Sequence, residues 1–338
     1  MQKNFTSNLT AVSIGDINGV GIQILIQAWK KKKLKNFILI TNYILFNKYI
    51  VEKNLSLKLF KSSIRNNKIF FDKGSFNIFD IKANNYNENT LNSLTESYKL
   101  VKNKYFKGLV TLPINKKKLS TLKSDFIDQT TFLTRKDGKK LSNMIFAHKN
   151  IYFVPLTVHL ELKKVSNEFK KTQKYLNKII SLNQTIIRDF GIEKPKFIMA
   201  GINPHNGENG IISQEDDRLL KPMITKLRKS KIKIDGPISP DAIVNKKNLN
   251  HYNCFIFTYH DQALIPFKLI SEHSGVNFTS NLDIIRVSPD HGTAYDIVGQ
   301  KNISPYGVIN SFKLLKKISL NRKKYERTKK ISRSKLSN

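Results

Sequence analysis

Apolar runs of four to six residues recur along the chain, and most of them end in a polar turn that contains glycine or proline. Such short runs are typical of buried strands, and the longer stretches between them show the spacing of amphipathic helices. The predicted strands are 10–14, 37–41, 108–112, 151–156, 196–199, 254–258 and 284–287, and the predicted helices include one that ends at Trp29 and one over 165–190. Strands that alternate with helices predict an α/β fold with a largely parallel sheet.

The chain has 338 residues, of which 40% are hydrophobic, so it is long enough for two lobes that each bury a core. It contains no uninterrupted apolar run of about 18 residues, the length that a membrane span needs. The N-terminus lacks an apolar signal region before the first predicted strand, and the single cysteine, Cys254, excludes an internal disulfide framework. We therefore expect a soluble cytoplasmic protein that has no membrane partner.

A formal net charge of +34 raises the possibility of nucleic-acid binding. Lysine greatly outnumbers arginine, however, whereas specific phosphate and base recognition favours the planar guanidinium. Lysine, asparagine, isoleucine and phenylalanine are enriched together, as expected when codon composition is drawn toward A and T. The segment 313–338 holds eleven Lys or Arg and one Glu, so its net +10 leaves +24 on the rest, and the charge is diffuse. We do not expect functional nucleic-acid binding, but a positive field can attract a phosphorylated substrate.

Three histidines follow predicted strands directly: His159, His205 and His260. The carboxyl ends of parallel strands meet at one edge of a sheet and commonly form the binding crevice. Neutral imidazole is the commonest protein ligand of a catalytic divalent metal, and three protein ligands leave positions open for a substrate. The pattern therefore indicates a shared metal site, and the alternative is three unrelated loop or core histidines.

Two further segments carry candidate chemistry. The glycine-rich loop 15–21 lacks the GxGxxG spacing of a dinucleotide fingerprint, so it either binds an anion through backbone N–H groups or only permits a tight turn. Asp16 in this loop is either a helix cap or a site carboxylate. After the predicted strand that precedes His260, Asp261 is placed to orient an imidazole. Beyond it, Lys268, Asn277 and Arg286 offer donors suited to a carboxylate or phosphate.

Taken in order, these motifs resemble the 4-hydroxythreonine-4-phosphate dehydrogenase family of vitamin B6 biosynthesis over roughly residues 10–310. The matching segments are Gly15-Asp16 with Gly19 and Gly21, Thr111-Leu-Pro-Ile-Asn-Lys116, Thr157-Val-His159-Leu, Asn203-Pro-His205-Asn-Gly-Glu208, Tyr259-His-Asp-Gln262, Gly275-Val-Asn277 and Asp290-His-Gly-Thr-Ala294. Each segment is modest alone, but seven in family order are specific.

The resemblance implies the two-domain α/β architecture of isocitrate and isopropylmalate dehydrogenases. It implies a homodimer with each active site at the subunit interface, NAD or NADP as cofactor, and one divalent ion (Zn, Mg or Co) per site. We expect a first lobe over 1–125 with about 290–315, a second lobe over 126–289, and a basic tail over 316–338 that is a frayed helix with a disordered end.

The resemblance also assigns roles to residues. It implies that the metal ligands His159, His205 and His260 come from both subunits. The implied substrate-binding residues are Gln129, Thr130, Lys268, Asn277 and Arg286, and the implied cofactor-binding residues are His291, Gly292, Thr293 and Asp296. Lys268 and Asp261 are the catalytic candidates, with Lys268 able to act as a base only if its pKa is lowered.

The implied reaction oxidises 4-phosphooxy-L-threonine with NAD, after which the β-keto acid product loses carbon dioxide. The chain departs from the family where Gln129 replaces a histidine, and where Ile17, Ile22 and Gln23 replace proline, proline and glutamate. Because glutamine cannot carry positive charge, another phosphorylated hydroxy acid, such as a four-carbon sugar-acid phosphate, is the alternative substrate. A basic nucleic-acid-binding protein that has lost catalysis is the alternative from another class.

Overall fold

In a computed structural model of the protein, which describes residues 8–334, the chain forms two compact units. Of the described residues, the first unit contains 8–140 together with Leu282–Ser319, and the second contains Leu141–Asn281 together with 320–334. The predicted lobe boundaries at 125/126 and near 290 need correction. Residues 126–140 and 282–284 belong to the first unit because Phe126, Leu133 and Ile284 lie in its apolar core.

The elements alternate as the sequence predicts. The strands are β1 (Thr10–Ser13), β2 (Phe37–Thr41), β3 (Leu59–Arg65), β4 (Lys68–Phe70), β5 (Phe76–Asp80), β6 (Leu109–Thr111), β7 (Met144–His148), β8 (Ile151–Pro155), β9 (Lys196–Ala200), β10 (Lys233–Ile238), β11 (Cys254–Phe257), β12 (Val276–Thr279) and β13 (Arg286–Pro289). The helices are α1 (Val20–Lys30), α2 (Tyr43–Glu52), α3 (Tyr86–Lys102), α4 (Lys116–Leu122), α5 (Gln129–Lys136), α6 (Val165–Phe169), α7 (Thr172–Phe190), α8 (Lys221–Lys229), α9 (Lys246–His251), α10 (His260–Ser271) and α11 (Tyr306–Ser334). The α/β class is confirmed, and the single helix predicted over 165–190 is divided between α6 and α7.

The first unit is built on strands in the order β13-β6-β1-β2-β5-β3-β4. Every neighbouring pair is parallel except the β3–β4 hairpin. The strands β1 and β2 are buried along their whole length, as near-continuous apolar runs in parallel sheets are. The hydroxyl of Ser93 on α3 donates to the Ile40 carbonyl and accepts from the Ile14 amide at 3.0 Å, so the helix is tied to two strand ends.

The second unit has the strand order β10-β9-β11-β8-β7-β12. The strands β10, β9, β11 and β8 are mutually parallel, whereas β7 is antiparallel to both β8 and β12. The prediction of a largely parallel sheet is therefore confirmed. Because β8, β9 and β11 run in the same direction, the loops that follow them leave from the same edge.

Cys254 begins β11 and is fully buried among the strands of the second unit. Burial raises the pKa of its thiol, because an apolar environment disfavours the thiolate. The thiol is therefore held in its unreactive form. Within the described residues, no helix combines the length and the apolar character that a membrane crossing demands.

Turns with left-handed backbone, a conformation that favours glycine, are here occupied largely by asparagine and lysine. The asparagines with positive φ are Asn36, Asn54, Asn66, Asn67, Asn206, Asn209 and Asn281, and the lysines are Lys32, Lys104, Lys149 and Lys231. Asparagine tolerates this region because its short polar side chain bonds locally, whereas lysine has no such compensation.

The basic C-terminal segment is a helix up to Ser334, which agrees with the predicted frayed helix and contradicts a disordered tail over 316–334; residues 335–338 lie outside the described range. A buried carboxylate explains the order. Asp189, at the end of α7, accepts hydrogen bonds from Nε and Nη2 of Arg322 at 2.7 and 3.0 Å, and from Arg188 at 2.7 and 2.8 Å. The Asn321 side chain donates to the Asp189 carbonyl at 2.9 Å. These bonds hold α11 against the end of α7.

We expect Asp189→Asn to lower the free energy of unfolding by about 3–5 kcal/mol, because it leaves two partly buried guanidinium groups without their carboxylate. Burial alone raises the pKa of Asp189, but the hydrogen bonds and charges of Arg188 and Arg322 outweigh it and lower the pKa below its ordinary value. The stabilisation is thus complete above the unfolded-state pKa of about 3.9 and is lost as the pH falls through the folded-state pKa. Denaturant unfolding at pH 7 and pH 3 measures both effects.

The exposed Arg327, one turn beyond the docked part of α11, provides the control. Arg327→Ala should change the free energy of unfolding by less than about 0.5 kcal/mol. An Asp189→Asn protein as stable as the wild type at pH 7 would contradict the docking role.

Candidate active site

The three predicted metal-binding histidines all lie in the second unit, at the edge where β8, β9 and β11 end. His159 lies in the loop after β8, His205 in the loop after β9, and His260 begins α10 directly after β11. The ring centroids of His159 and His260 are 6.1 Å apart and their planes make an angle of 35°. Two imidazoles that share one ion at about 2.1 Å have centroids on the order of 5–6 Å apart, so the separation of this pair is slightly longer than that of two ligands of one ion.

His205 does not join that pair. Among the described residues, no group of three or more His, Cys, Asp or Glu is arranged to hold a metal ion. The resemblance implies ligands from both subunits, so the three-histidine site stays a prediction that a single chain does not test.

His260 is oriented by its neighbour. Its Nδ1 lies 2.6 Å from Oδ1 of Asp261, which leaves Nε2 available for a ligand. A carboxylate on one ring nitrogen fixes the tautomer and strengthens the other nitrogen as a metal ligand. The contact is the one that the sequence predicts for Asp261, whereas its catalytic role stays a prediction.

Gln262, the last residue of the Tyr-His-Asp-Gln motif, connects the ends of two strands. Its Oε1 accepts from the amide and the hydroxyl of Thr258, both at 2.9 Å, and its Nε2 donates to the Gly201 carbonyl at 2.9 Å. Thr258 is fully buried and lies just past β11, and Gly201 lies just past β9. The hydroxyl and the amide of Thr157, just past β8, donate to the Thr258 carbonyl at 2.7 and 3.2 Å. The starting points of all three histidine loops are thereby joined.

The sequence gives no signal for a second contact beneath the His159 loop. Lys178, in the lysine-rich helix α7, donates from Nζ to the Leu156 carbonyl at 2.8 Å. Burial lowers the pKa of Lys178 to about 8, with the charge of Lys174 acting in the same direction. Nothing in the spacing of lysines along α7 separates this buried amine from its solvated neighbours, because only the tertiary structure covers it.

In the first unit, Arg286 lies against Gln129 and Thr130, the other two predicted substrate-binding residues of that unit. Arg286 is only 2% exposed. Its Nε and Nη2 donate to the hydroxyl of Thr111 at 3.0 and 2.7 Å, and Nη1 donates to the hydroxyl of Thr130 at 3.2 Å. Burial lowers the pKa of Arg286 to about 10, so the side chain remains a cation at neutral pH.

Gln129, where the family has a histidine, lies against this guanidinium. Its Oε1 accepts from Nη2 of Arg286 at 2.8 Å and from the Thr111 hydroxyl at 3.1 Å, and its Nε2 donates to the Leu112 carbonyl at 3.0 Å. The amide is thus bonded on both sides within the protein. This geometry gives Gln129 a structural explanation, and its predicted contact with substrate stays a prediction.

The remaining substrate candidates belong to the second unit. Lys268 is an exposed residue of α10, and Asn277 lies on β12. The Oδ1 atom of Asn277 is buried and has no hydrogen-bond partner within the described part of the chain. A buried acceptor without a donor carries a free-energy cost, and such atoms are commonly satisfied by a ligand or an ordered water.

The segment predicted to bind the cofactor packs against the first glycine-rich loop within the first unit. The Thr293 carbonyl accepts from the Val20 amide at 2.8 Å, and a Cβ on Gly19 would lie 3.0 Å from that same oxygen. Gly19 therefore serves close packing of two backbones. Gln23 accepts from the Gly299 amide at 2.9 Å and donates to the Gln300 carbonyl at 3.0 Å, so its side chain is bonded to the backbone on both sides.

Asp16 does not cap helix α1, and its role as a site carboxylate stays a prediction. It accepts from the Tyr295 hydroxyl at 2.6 Å, from Nζ of Lys118 at 3.0 Å and from the Asn18 amide at 3.0 Å. Helix α1 is capped by Gly19 without a side-chain bond. Asp16 thus fixes Tyr295, the neighbour of Asp296, while His291 bonds through Nδ1 to the Gly292 carbonyl at 2.9 Å.

Comparison with known proteins decides the family. A family model described as "Pyridoxal phosphate biosynthetic protein PdxA" matches residues 34–315. The chain belongs to this family. A protein of Sulfurihydrogenibium sp. named 4-hydroxythreonine-4-phosphate dehydrogenase is 31% identical over 90% of this chain and 96% of its own length. A protein of the same name from Zymomonas mobilis is 28% identical over 93% and 97%.

A solved structure agrees at the level of the fold. The crystal structure of 4-hydroxythreonine-4-phosphate dehydrogenase from Klebsiella pneumoniae has a TM-score of 0.77 and covers 94% of this chain and 99% of its own, at 22% identity. The resemblance inferred from the seven ordered motifs is confirmed.

We expect Gln262→Leu to destabilise the protein by about 1–3 kcal/mol, because it leaves the buried Thr258 amide without a partner and leaves the Gly201 carbonyl with the longer, 3.4 Å hydrogen bond from the Thr258 hydroxyl. Urea unfolding at pH 7 measures the change. Gln173→Leu on the exposed face of α7 is the matched control and should be close to neutral, since the Gln173 side chain bonds the neighbouring Asn177 at the surface. Equal effects of the two substitutions would contradict the bridging role.

Proposed function

We propose that this chain is a 4-hydroxythreonine-4-phosphate dehydrogenase that oxidises 4-phosphooxy-L-threonine with NAD. The product 2-amino-3-oxo-4-phosphooxybutanoate then decarboxylates to 3-amino-2-oxopropyl phosphate, in pyridoxal 5′-phosphate biosynthesis. The observation that carries the proposal is similarity over nearly the whole chain to relatives of that name, combined with family motifs at the strand ends. Family membership itself makes the chain an oxidoreductase of pyridoxal phosphate biosynthesis.

A divalent metal fits the histidines present. The imidazoles of His159 and His260 lie with their centroids 6.1 Å apart, and the Asp261 contact engages Nδ1 of His260 rather than Nε2. We propose that these two residues and His205 hold the ion, with ligands from both subunits of a homodimer. Nitrogen donors suit Zn or Co better than Mg, which prefers oxygen ligands. When bound, such an ion lowers the pKa of a substrate hydroxyl.

The chain's own residues bind and orient the phosphorylated substrate. Arg286 supplies a permanent cation in a buried setting, where charge-assisted hydrogen bonds to a phosphate or carboxylate are strong. Its four hydrogen bonds to Thr111, Thr130 and Gln129 keep the guanidinium in one orientation. Asn277 contributes its Oδ1 atom, an acceptor with no partner within the described part of the chain, which could bind a hydroxyl or ammonium group of the substrate.

The proposal also assigns the residues that contact the cofactor and those that exchange a proton with the substrate. We propose that His291, Gly292, Thr293 and Asp296 contact NAD or NADP, because this loop is fixed on the glycine-rich turn by Thr293 and Gln23. Lys268 and Asp261 are the candidates for acid–base chemistry at the substrate. A cytoplasmic location agrees with the biosynthetic role.

One observation favours a second substrate. Gln129 gives Arg286 a neutral partner where the family offers an ionisable imidazole. Another phosphorylated hydroxy acid, such as a four-carbon sugar-acid phosphate, is therefore the alternative with the same fold, metal and cofactor.

The purified protein should reduce NAD with 4-phosphooxy-L-threonine, lose activity in a chelator, and regain it with Zn²⁺ or Co²⁺. His260→Asn should lower kcat/KM by about 100-fold or more, because it removes a proposed ligand. His251→Asn, which changes an exposed histidine on α9, is the control and should retain activity. Turnover of a sugar-acid phosphate but not of 4-phosphooxy-L-threonine would support the alternative, and turnover of neither with metal present would reject both.

Arg286→Met should raise KM for the phosphorylated substrate by about 10- to 100-fold, since it removes a charge-assisted contact worth on the order of 1.5–3 kcal/mol. Arg135→Met on the exposed face of α5 should leave KM unchanged, because Arg135 bonds the Asp125 carbonyl at the surface. Steady-state kinetics at constant ionic strength make the comparison, and an unchanged KM in Arg286→Met would remove Arg286 from the substrate site.

A further inference from the structure

The carboxylate of Asp216 lies beneath the loop that carries His205, and the residue is fully buried. Asp216 is the first residue of a π-helical turn, Asp216–Leu220, that leads into α8. Its Oδ1 accepts from the Ile202 amide at 2.7 Å. Its Oδ2 accepts from the amide and the side-chain nitrogen of Asn203, at 3.2 and 3.1 Å. One carboxylate therefore binds two consecutive backbone amides just before His205.

The loop that follows has an unusual backbone. The five residues from His205 to Asn209 all have positive φ: 49° at His205, 54° at Asn206, 76° at Gly207, 46° at Glu208 and 53° at Asn209. A residue other than glycine costs roughly 1–2 kcal/mol in this left-handed conformation, so consecutive examples persist only when surrounding contacts impose them.

The downstream part of the loop has contacts of its own. The Gly207 carbonyl accepts from the amides of Ile212 and Ser213 at 3.1 and 3.3 Å, and a Cβ on Gly207 would collide with the Ser213 carbonyl at 1.9 Å. The Asn206 side chain donates to the Pro237 carbonyl at 2.9 Å. These contacts fix the loop from Asn206 onward. They do not involve its entrance, the residues Ile202 and Asn203 that lead into His205.

Asp216 fixes the entrance. A Cβ on Gly201 would lie 2.7 Å from Oδ1 of Asp216, so glycine at this position allows the carboxylate to approach the backbone. Glu215 shares the Asn203 side chain, accepting from its Nδ2 at 3.1 Å, but bonds neither the Ile202 nor the Asn203 amide. Asp216 is thus the group that sets the direction of the chain as it enters His205.

We propose that Asp216 is a positioning residue for His205: its buried carboxylate holds the loop entrance so that the imidazole is presented in one orientation to the metal. The inference rests on the proposed function in one respect, that His205 is a metal ligand. A residue that orients a ligand in this way typically changes metal affinity 10- to 100-fold when it is substituted.

Asp216→Asn tests the proposal. Both carboxylate oxygens of Asp216 accept hydrogen bonds from N–H groups, and the substitution replaces one of these oxygens by an NH2 group, which cannot accept. We expect Co²⁺ and Zn²⁺, titrated calorimetrically into the full chain, to bind about 10- to 100-fold more weakly. We also expect faster hydrogen exchange at the Ile202 and Asn203 amides. Asp217→Asn, the same change one residue along at a carboxylate paired with Lys221, should leave both measurements unchanged.

If Asp216→Asn does not fold, Asp216→Glu carries the test, since it keeps the charge but displaces the carboxylate by one methylene and should weaken metal binding about 3- to 10-fold. Metal affinity and amide exchange equal to wild type would overturn the proposal, as would equal weakening in Asp217→Asn or a wild type that binds neither ion. Dehydrogenase activity is measured separately. A wild type that binds metal but does not turn over 4-phosphooxy-L-threonine would reject the proposed substrate and leave the role of Asp216 to be decided by the affinities.

Discussion

The hydrogen bonds of Gln262 are the constraint on which the candidate metal site depends. Beyond the last residues of β9 and β11 these two strands no longer pair backbone groups with each other, yet Thr258 is fully buried and its polar atoms need partners. Gln262 supplies them and also binds the Gly201 carbonyl, while Thr157 connects the end of β8 to Thr258. Each histidine loop consequently starts from a fixed point, and a few residues of loop suffice to place an imidazole.

The order and positions of the strands can be predicted from the sequence, because buried parallel strands appear in it as apolar runs of characteristic length. That is why the positions of His159, His205 and His260 at one sheet edge follow from pattern alone. The left-handed turn at His205 and the burial of Lys178 do not follow, since each depends on partners distant in sequence. The order of the C-terminal segment could not be predicted for the same reason. Its charge pattern is that of a solvated tail, and the carboxylate that orders it, Asp189, is more than 100 residues away.

The departures from the family have local explanations in the first unit. Ile17 and Ile22 are buried, 2% and 0% exposed, and therefore replace one apolar contact with another. Gln23 bonds the backbone at Gly299 and Gln300, and Gln129 bonds Arg286. All four residues are accommodated by apolar burial or by hydrogen bonds, so the loops that carry them have a defined structure. Among them, Gln129 places a group that cannot be protonated beside a buried cation.

The asparagines and lysines at left-handed turns have a consequence for how this protein evolves. The chain contains 15 glycines, and many turns that favour glycine hold a residue that an A- and T-rich codon supplies. A lysine in this conformation costs about 1 kcal/mol relative to glycine, and asparagine less, although both restrict the unfolded chain more than glycine does. The amino-acid composition of the chain thus enters the folding free energy turn by turn, and part of the stability margin offsets the cost of lysine and asparagine at positions that favour glycine.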